Sequence, residues 1–145
     1  MYIKQLSEDL KKFADKLHSN SRKLMKDIGY MFLSNTETKW EHRGEGQWYQ
    51  GEKWPPLEES TVKARQGRRT PMLEDTGDMH TALDVESDED SALIYFKRPE
   101  DEKYKRHHQG NANLPQRKVL DITPEDEQDI EEMVDDFIGD ILRGL

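Results

Sequence analysis

The chain has 145 residues, of which 32% are hydrophobic and 37% charged, and its 22 basic and 31 acidic groups leave a net charge of −9. Average globular chains are about 45–50% apolar and 25% charged. The arithmetic therefore predicts one domain with a thin core, completed by burying surface against copies of itself or against partners, and excludes a large dry-walled active site. There is no cysteine, which excludes disulfides, thiolate metal sites and cysteine nucleophiles.

The first residues, Met1 to Gln5, turn polar at once and carry no signal-peptide pattern. No apolar run approaches the ~18 residues of a membrane span, so the expectation is a protein made and used in the cytoplasm, without a membrane. Leu6, Leu10, Phe13, Ala14, Leu17, Leu24, Met25, Ile28, Met31 and Phe32 recur at helical spacing. Ser7 before Glu8 and Asp9 reads as a cap with an acidic first turn. The prediction is one long N-terminal helix over 7–35, with a possible kink at Ser19-Asn20-Ser21. Such a helix is too long for a small core to cover, so the stripe around Leu24, Ile28 and Met31 is the candidate subunit interface.

Residues 36–78 hold Trp40, Trp48 and Trp54 among glycines and prolines. Glycine and proline at that density predict an ordered loop region, with a short helix over Glu58–Arg65. Residues 79–98 read as a β-hairpin: Met79, Thr81, Leu83 and Val85 alternate with polar residues, Ser87–Asp90 turn, and Leu93–Phe96 return. Glu100–Asn113 is polar, and Val119–Ile122 reads as a short strand, giving a β region over 79–122. A helix over 123–143 follows, with Thr123 as cap, Pro124 at its first position, Asp126 at the capping-box position and Gly144 just past the end. The segment 123–145 has nine acids and one basic residue, or −8, nearly the whole imbalance. Non-specific affinity for DNA comes from neutralising phosphates, so such a chain binds DNA poorly. The predicted class is α+β: long N-terminal helix, small antiparallel sheet with a hairpin, and C-terminal amphipathic helix.

Catalytic, metal and cofactor motifs are missing. His107 and His108 are adjacent and point in different directions, and no later histidine completes a His/Asn nuclease site, so they read as solvated or turn-capping. Asp84, Glu86, Asp88, Glu89 and Asp90 crowd the hairpin tip without the regular spacing of a calcium loop. No phosphate loop or nucleophile elbow is present.

Four blocks are more specific. Trp54-Pro55-Pro56-Leu57-Glu58-Glu59-Ser60-Thr61 comes first, then Met72-Leu73-Glu74-Asp75-Thr76-Gly77-Asp78-Met79, then His108-Gln109-Gly110, then Leu114-Pro115-Gln116-Arg117 with Leu120-Asp121-Ile122. Their order and spacing resemble the Mu-like phage virion morphogenesis family, also called tail completion proteins, over roughly residues 20–142. Trp54, Pro56, Leu57, Ser60, Thr61, Asp75, Thr76, Gly77, His108, Gly110, Pro115 and Arg117 carry the match. In physical terms they read as folding punctuation: an aromatic anchor, stiffening prolines, backbone-bonding turn residues and a pairing arginine.

The resemblance implies a non-enzymatic virion protein of the head–tail joining region, in the neck or as tail terminator. It implies a ring, often of six subunits, that caps the tail tube and meets neck or head-completion proteins. DNA would pass its channel without sequence-specific binding, and Asp88, Glu89 and Asp90 are candidate channel lining. An acidic phage-encoded binding module or DNA mimic is the alternative.

Overall fold

The computed structural model describes residues 3–47, 50, 53–70, 72–73, 78–98, 100–111 and 114–144. Helix α1 runs Ile3–Gly44, followed by α2 (Glu59–Ala64), α3 (Asp78–Thr81), β1 (Leu83–Ser87), β2 (Ala92–Phe96), α4 (Glu100–Gln109) and α5 (Pro124–Arg143). The architecture is α+β, with long helices at both ends and an antiparallel pair of strands between them.

α1 begins earlier and ends later than 7–35. Its 42 residues extend about 63 Å at 1.5 Å per residue. The Ser19-Asn20-Ser21 stretch does not break it. The Ser19 and Ser21 hydroxyls and the Asn20 amide all donate to carbonyls three or four residues back, at 3.2, 2.9 and 2.8 Å. Their competition with the backbone is thereby spent inside the helix.

α5 lies antiparallel along α1: Asp126 near its start meets Asn35 and Lys39, and Gly144 past its end accepts a hydrogen bond from Lys16 Nζ. Its start is the predicted one. Thr123 Oγ1 accepts from Asp126 N–H, and Asp126 accepts from Thr123 N–H, a complete capping box.

The hairpin pairs Leu83 with Phe96 and Val85 with Ile94. Asp88 Oδ1 closes the turn by accepting from the N–H groups of Asp90 and Ser91. Gly29 lets α1 lie against the hairpin: a Cβ there would come within 2.7 Å of Val85 Cγ2. The core gathers Trp40, Trp54, Met72, Met79, Ala82, Leu83, Phe96 and Val119. Phe96 sits edge-on to Trp40 and against Tyr104 of α4, with ring centroids 6.0 and 4.7 Å apart.

Three further elements differ from the expectations. Met79 and Thr81 lie in the helical turn α3, so the first strand starts only at Leu83. Met79, Ala82 and Leu83 share the core at helical spacing, which four alternating residues cannot distinguish from a strand. Glu100–Gln109 is helical. Acids fill its first turn and Arg106, His107 and His108 its last, which suits the helix dipole, and Glu100–Lys103 and Glu102–Lys105 pair one turn apart. Val119–Ile122 is not a strand, and the sheet among the described residues has two strands. The flanking carbonyls are taken by side chains instead: Lys118 O accepts from Trp54 Nε1 at 3.1 Å and Asp121 O from Lys39 Nζ at 2.8 Å.

Candidate functional site

The sequence blocks meet in space. Pro55 and Pro56 hold the chain extended before α2, and their carbonyls face Arg117. Arg117 Nε and Nη2 donate to Pro55 O at 3.0 and 2.8 Å, and Nη2 donates to Pro56 O at 2.9 Å. Trp54 is 3% exposed, and its indole bond to Lys118 O ties the first block to the fourth from the other side. Arg117 N–H donates to His107 O, and Gln116 Nε2 donates to His108 O at 2.9 Å, which brings in the third block. The turn between them needs Gly110: its φ is +65°, and a Cβ would lie 2.8 Å from Gln116 N. Asp75, Thr76 and Gly77 lie outside the described residues, and Leu73 beside them is half-buried against the core.

Leu57, Thr61, Leu73, Pro115 and Arg117 line one cleft of about 200 Å³, shared with Glu58, Arg65, Lys103 and His107. Ser60 is exposed beside a shallow depression. The histidines are not solvated, as expected from their adjacency, but half-buried. His108 Nδ1 is hydrogen-bonded to Tyr104 Oη at 3.2 Å. His107 Nδ1 is enclosed without a hydrogen-bond partner among the described residues. Burial, then Arg117, Lys103 and Arg106, push the His107 pKa down to about 4, so the ring is neutral at pH 7. Burial also lowers the Arg117 pKa, against the opposing charge of Glu58.

A second convergence lies at the start of α5. Lys39 Nζ meets Asp126 Oδ2 at 2.6 Å, with side-chain exposures of 1% and 0%. Arg43 holds both Asp121 oxygens, at 3.0 and 3.1 Å, and Asn35 donates to Asp126 and Asp129 at 3.0 Å each. Burial alone would raise the Asp126 pKa, but hydrogen bonds from Lys39, Thr123 and Asn35 and the Lys39 charge hold it below the usual carboxylate value. This knot joins the C-terminal part of α1 to the start of α5. The sequence hint was helical spacing: Asn35, Lys39 and Arg43 stand four apart on one face.

Leu24, Ile28 and Met31 are half-buried within the chain. Leu24 faces Met133, Phe137 and Ile141 of α5 across a shared cleft, so the second helix accounts for much of that stripe's cover. The stripe is bare further toward the N-terminus, where Leu6, Leu10 and Leu17 are 45%, 60% and 37% exposed. At the hairpin tip Asp88, Glu89 and Asp90 are exposed, and Glu89 pairs with Arg22 at 3.1 Å. Hydrogen bonds from the Asp90 and Ser91 backbone lower the Asp88 pKa.

Among the described residues no helix is long and apolar enough to cross a membrane. No curated protein and no solved structure shows significant similarity to the chain. The model of one family, the phage virion morphogenesis family, matches residues 1–138. With nearly its whole length matched, and with the blocks of that family interlocked around Arg117, the chain belongs to the phage virion morphogenesis family.

Proposed function

We propose that this structural phage virion protein works at the head–tail junction. There it forms a ring, six subunits being the expected number, that caps the tail tube, lets the head attach and leaves a channel for DNA. Family membership supports the virion role. The observation that carries the ring is the uncovered stripe of α1. Leu6, Leu10 and Leu17 stand in water on one face of a helix whose later residues use that face for packing. Contiguous apolar surface of this kind marks an interaction site.

The blocks around Arg117 are structural in this scheme. Among the described residues their side chains bond backbone carbonyls and fill the core. The exposed acids of the hairpin tip and the outer face of α5 suit a channel wall that repels phosphate rather than gripping it.

The test is electron microscopy of the purified protein, alone and mixed with tail tubes. Rings that cap the tube ends, together with overlong headless tails when the protein is withheld from assembly, are expected. A chain that stays monomeric at high concentration and never joins the particle, but binds a basic host protein, would instead identify an acidic binding module.

A further inference from the structure

α1 outruns its partner. α5 ends at Arg143, and its cap Gly144 lies beside Lys16, so residues 3–15 project past it by about 20 Å. Leu6, Leu10 and Leu17 continue the face that α5 covers further along, and Leu10 is the most exposed of the three. Elsewhere on the same molecule lies an apolar groove of about 320 Å³, floored by Ile28 and Phe32 and walled by Ile94, Leu120, Ile122 and Ile130. Ile122 on its rim is 66% exposed. The chain thus carries a bare apolar ridge and, at a separate place, a bare apolar trough.

The charges point the same way. Residues 3–26 carry seven basic and three acidic groups, or +4, whereas α5 carries nine acids and Arg143, or −8. Little of this attraction is spent within the chain. Among the described residues Lys11, Lys12, Lys23 and Lys26 make no ion pair, and neither do Glu127, Glu131, Asp135 and Asp136. A second copy is the occupant that answers both features, since it brings the basic ridge to a trough that Ile130 of the acidic α5 helps to wall.

We propose that the N-terminal segment of α1 is an arm by which one copy grips the next. Leu6, Leu10 and Leu17 seat in the neighbour's groove over Ile94, Ile122 and Ile130, and the arm's lysines face the neighbour's acidic α5. Ridge and trough are different surfaces, so the contact is head-to-tail. Repeated, it closes a ring or runs on as a filament, whereas a self-complementary patch would stop at a dimer. The inference rests on the ring proposed above and specifies how its subunits join.

The cysteine-free chain gives a clean background for crosslinking. A disulfide needs Cα atoms roughly 4.4–6.8 Å apart. Leu10→Cys mixed with Ile122→Cys should give a disulfide-linked dimer under oxidation, and the double variant a ladder of linked subunits. Leu10→Cys with Leu93→Cys, on the outer face of the hairpin, should give neither. Leu10→Glu should abolish assembly, with its melting temperature unchanged because Leu10 is exposed in the single chain.

Rings seen by microscopy without the Leu10–Ile122 crosslink would overturn the arm and leave the ring standing. Normal assembly by Leu10→Glu would do the same, and so would a lowered melting temperature, which would place Leu10 in the chain's own packing. Absence of any assembly, even on tail tubes, would overturn ring and arm together.

Discussion

Lys39 and Asp126 form a buried ion pair, Nζ to Oδ2 at 2.6 Å, between the C-terminal part of α1 and the first turn of α5. Asp126 serves two purposes with one carboxylate. It caps its own helix through Thr123 N–H at 2.9 Å and it neutralises a lysine eighty-seven positions away in sequence. Neither charge reaches water, so each depends on the other.

Asp126→Ala should therefore be among the most damaging single changes. Buried Lys39 would keep only the longer ionic contact to Asp121, 3.6 Å from Nζ to Oδ1; loss of its close partner costs up to about 3–5 kcal/mol, and the capping box is lost as well. Lys39→Met combined with Asp126→Ala should recover part of the loss, measured by urea unfolding. The pH sign follows from the lowered pKa of Asp126. Its contribution is complete above the unfolded value of 3.8 and is lost as pH falls through the folded value. Lys39→Met should weaken that acid dependence.

Arg117 tests the interlock of the blocks. Lysine keeps the charge but cannot hold the Pro55 and Pro56 carbonyls with a planar fork. Arg117→Lys should cost about 1 kcal/mol through weakened hydrogen bonds to these partly exposed acceptors. Trp54→Ala, which also removes core volume, should cost about 3–5 kcal/mol. Both should lower the melting temperature and impair particle completion in the same order. If Trp54→Ala melted like the wild type yet stopped head–tail joining, the indole would be a partner contact.

His107 gives a second pH signature. Its folded pKa of about 4 lies below the ordinary histidine value of 6.5. The unfolded chain therefore binds more protons between those values, and stability should rise with pH from about 4 to 6.5 and then level off. The ring is only partly enclosed, so the size is about 1–2 kcal/mol after allowing for solvent screening. His107→Gln should flatten the slope in guanidinium unfolding series at pH 5 and 7.5. An unchanged slope would show that His107 titrates normally.

Two glycines separate backbone strain from crowding. Gly67 has φ +87° with nothing within 4 Å of a built Cβ, whereas Gly110 has φ +65° and Gln116 N at 2.8 Å. Gly67→Ala should cost about 1 kcal/mol from conformation alone. Gly110→Ala should cost about 1–3 kcal/mol more, because the neighbour is backbone and cannot swing aside. Equal losses in thermal denaturation would show that the turn at Gly110 adjusts.

The hairpin tip allows a test of the channel. Asp88 builds the turn, so Glu89→Lys with Asp90→Lys changes the charge while sparing the fold. The Arg22–Glu89 pair is exposed and its loss is worth less than about 1 kcal/mol. Assembly should proceed normally and DNA exit should slow, read by ejection kinetics. Unchanged ejection would place the tip away from the DNA path.

The sequence alone determined the elements whose signals are local. α5 was legible from Thr123, Pro124, Asp126 and Gly144 together with an unbroken apolar face. The turn of the hairpin was legible from its run of short polar residues, and the body of α1 from its period. In each case the hydrogen bonds that define the element close within a few residues, so their pattern is written in consecutive positions. Tertiary structure decided the rest. α1 continues past residue 35 because Thr36, Lys39 and Arg43 are buried, and Lys39 and Arg43 find their acids in a segment that the chain reaches only after eighty more residues. α4 forms on charge pairs and one tyrosine against Phe96, without an apolar period to announce it. Residues 119–122 have the composition of a strand, yet long side chains from α1 and from Trp54 claim the carbonyls around them. Propensity weighs a residue against its neighbours in sequence, whereas a buried polar group takes the conformation that its distant partner can satisfy.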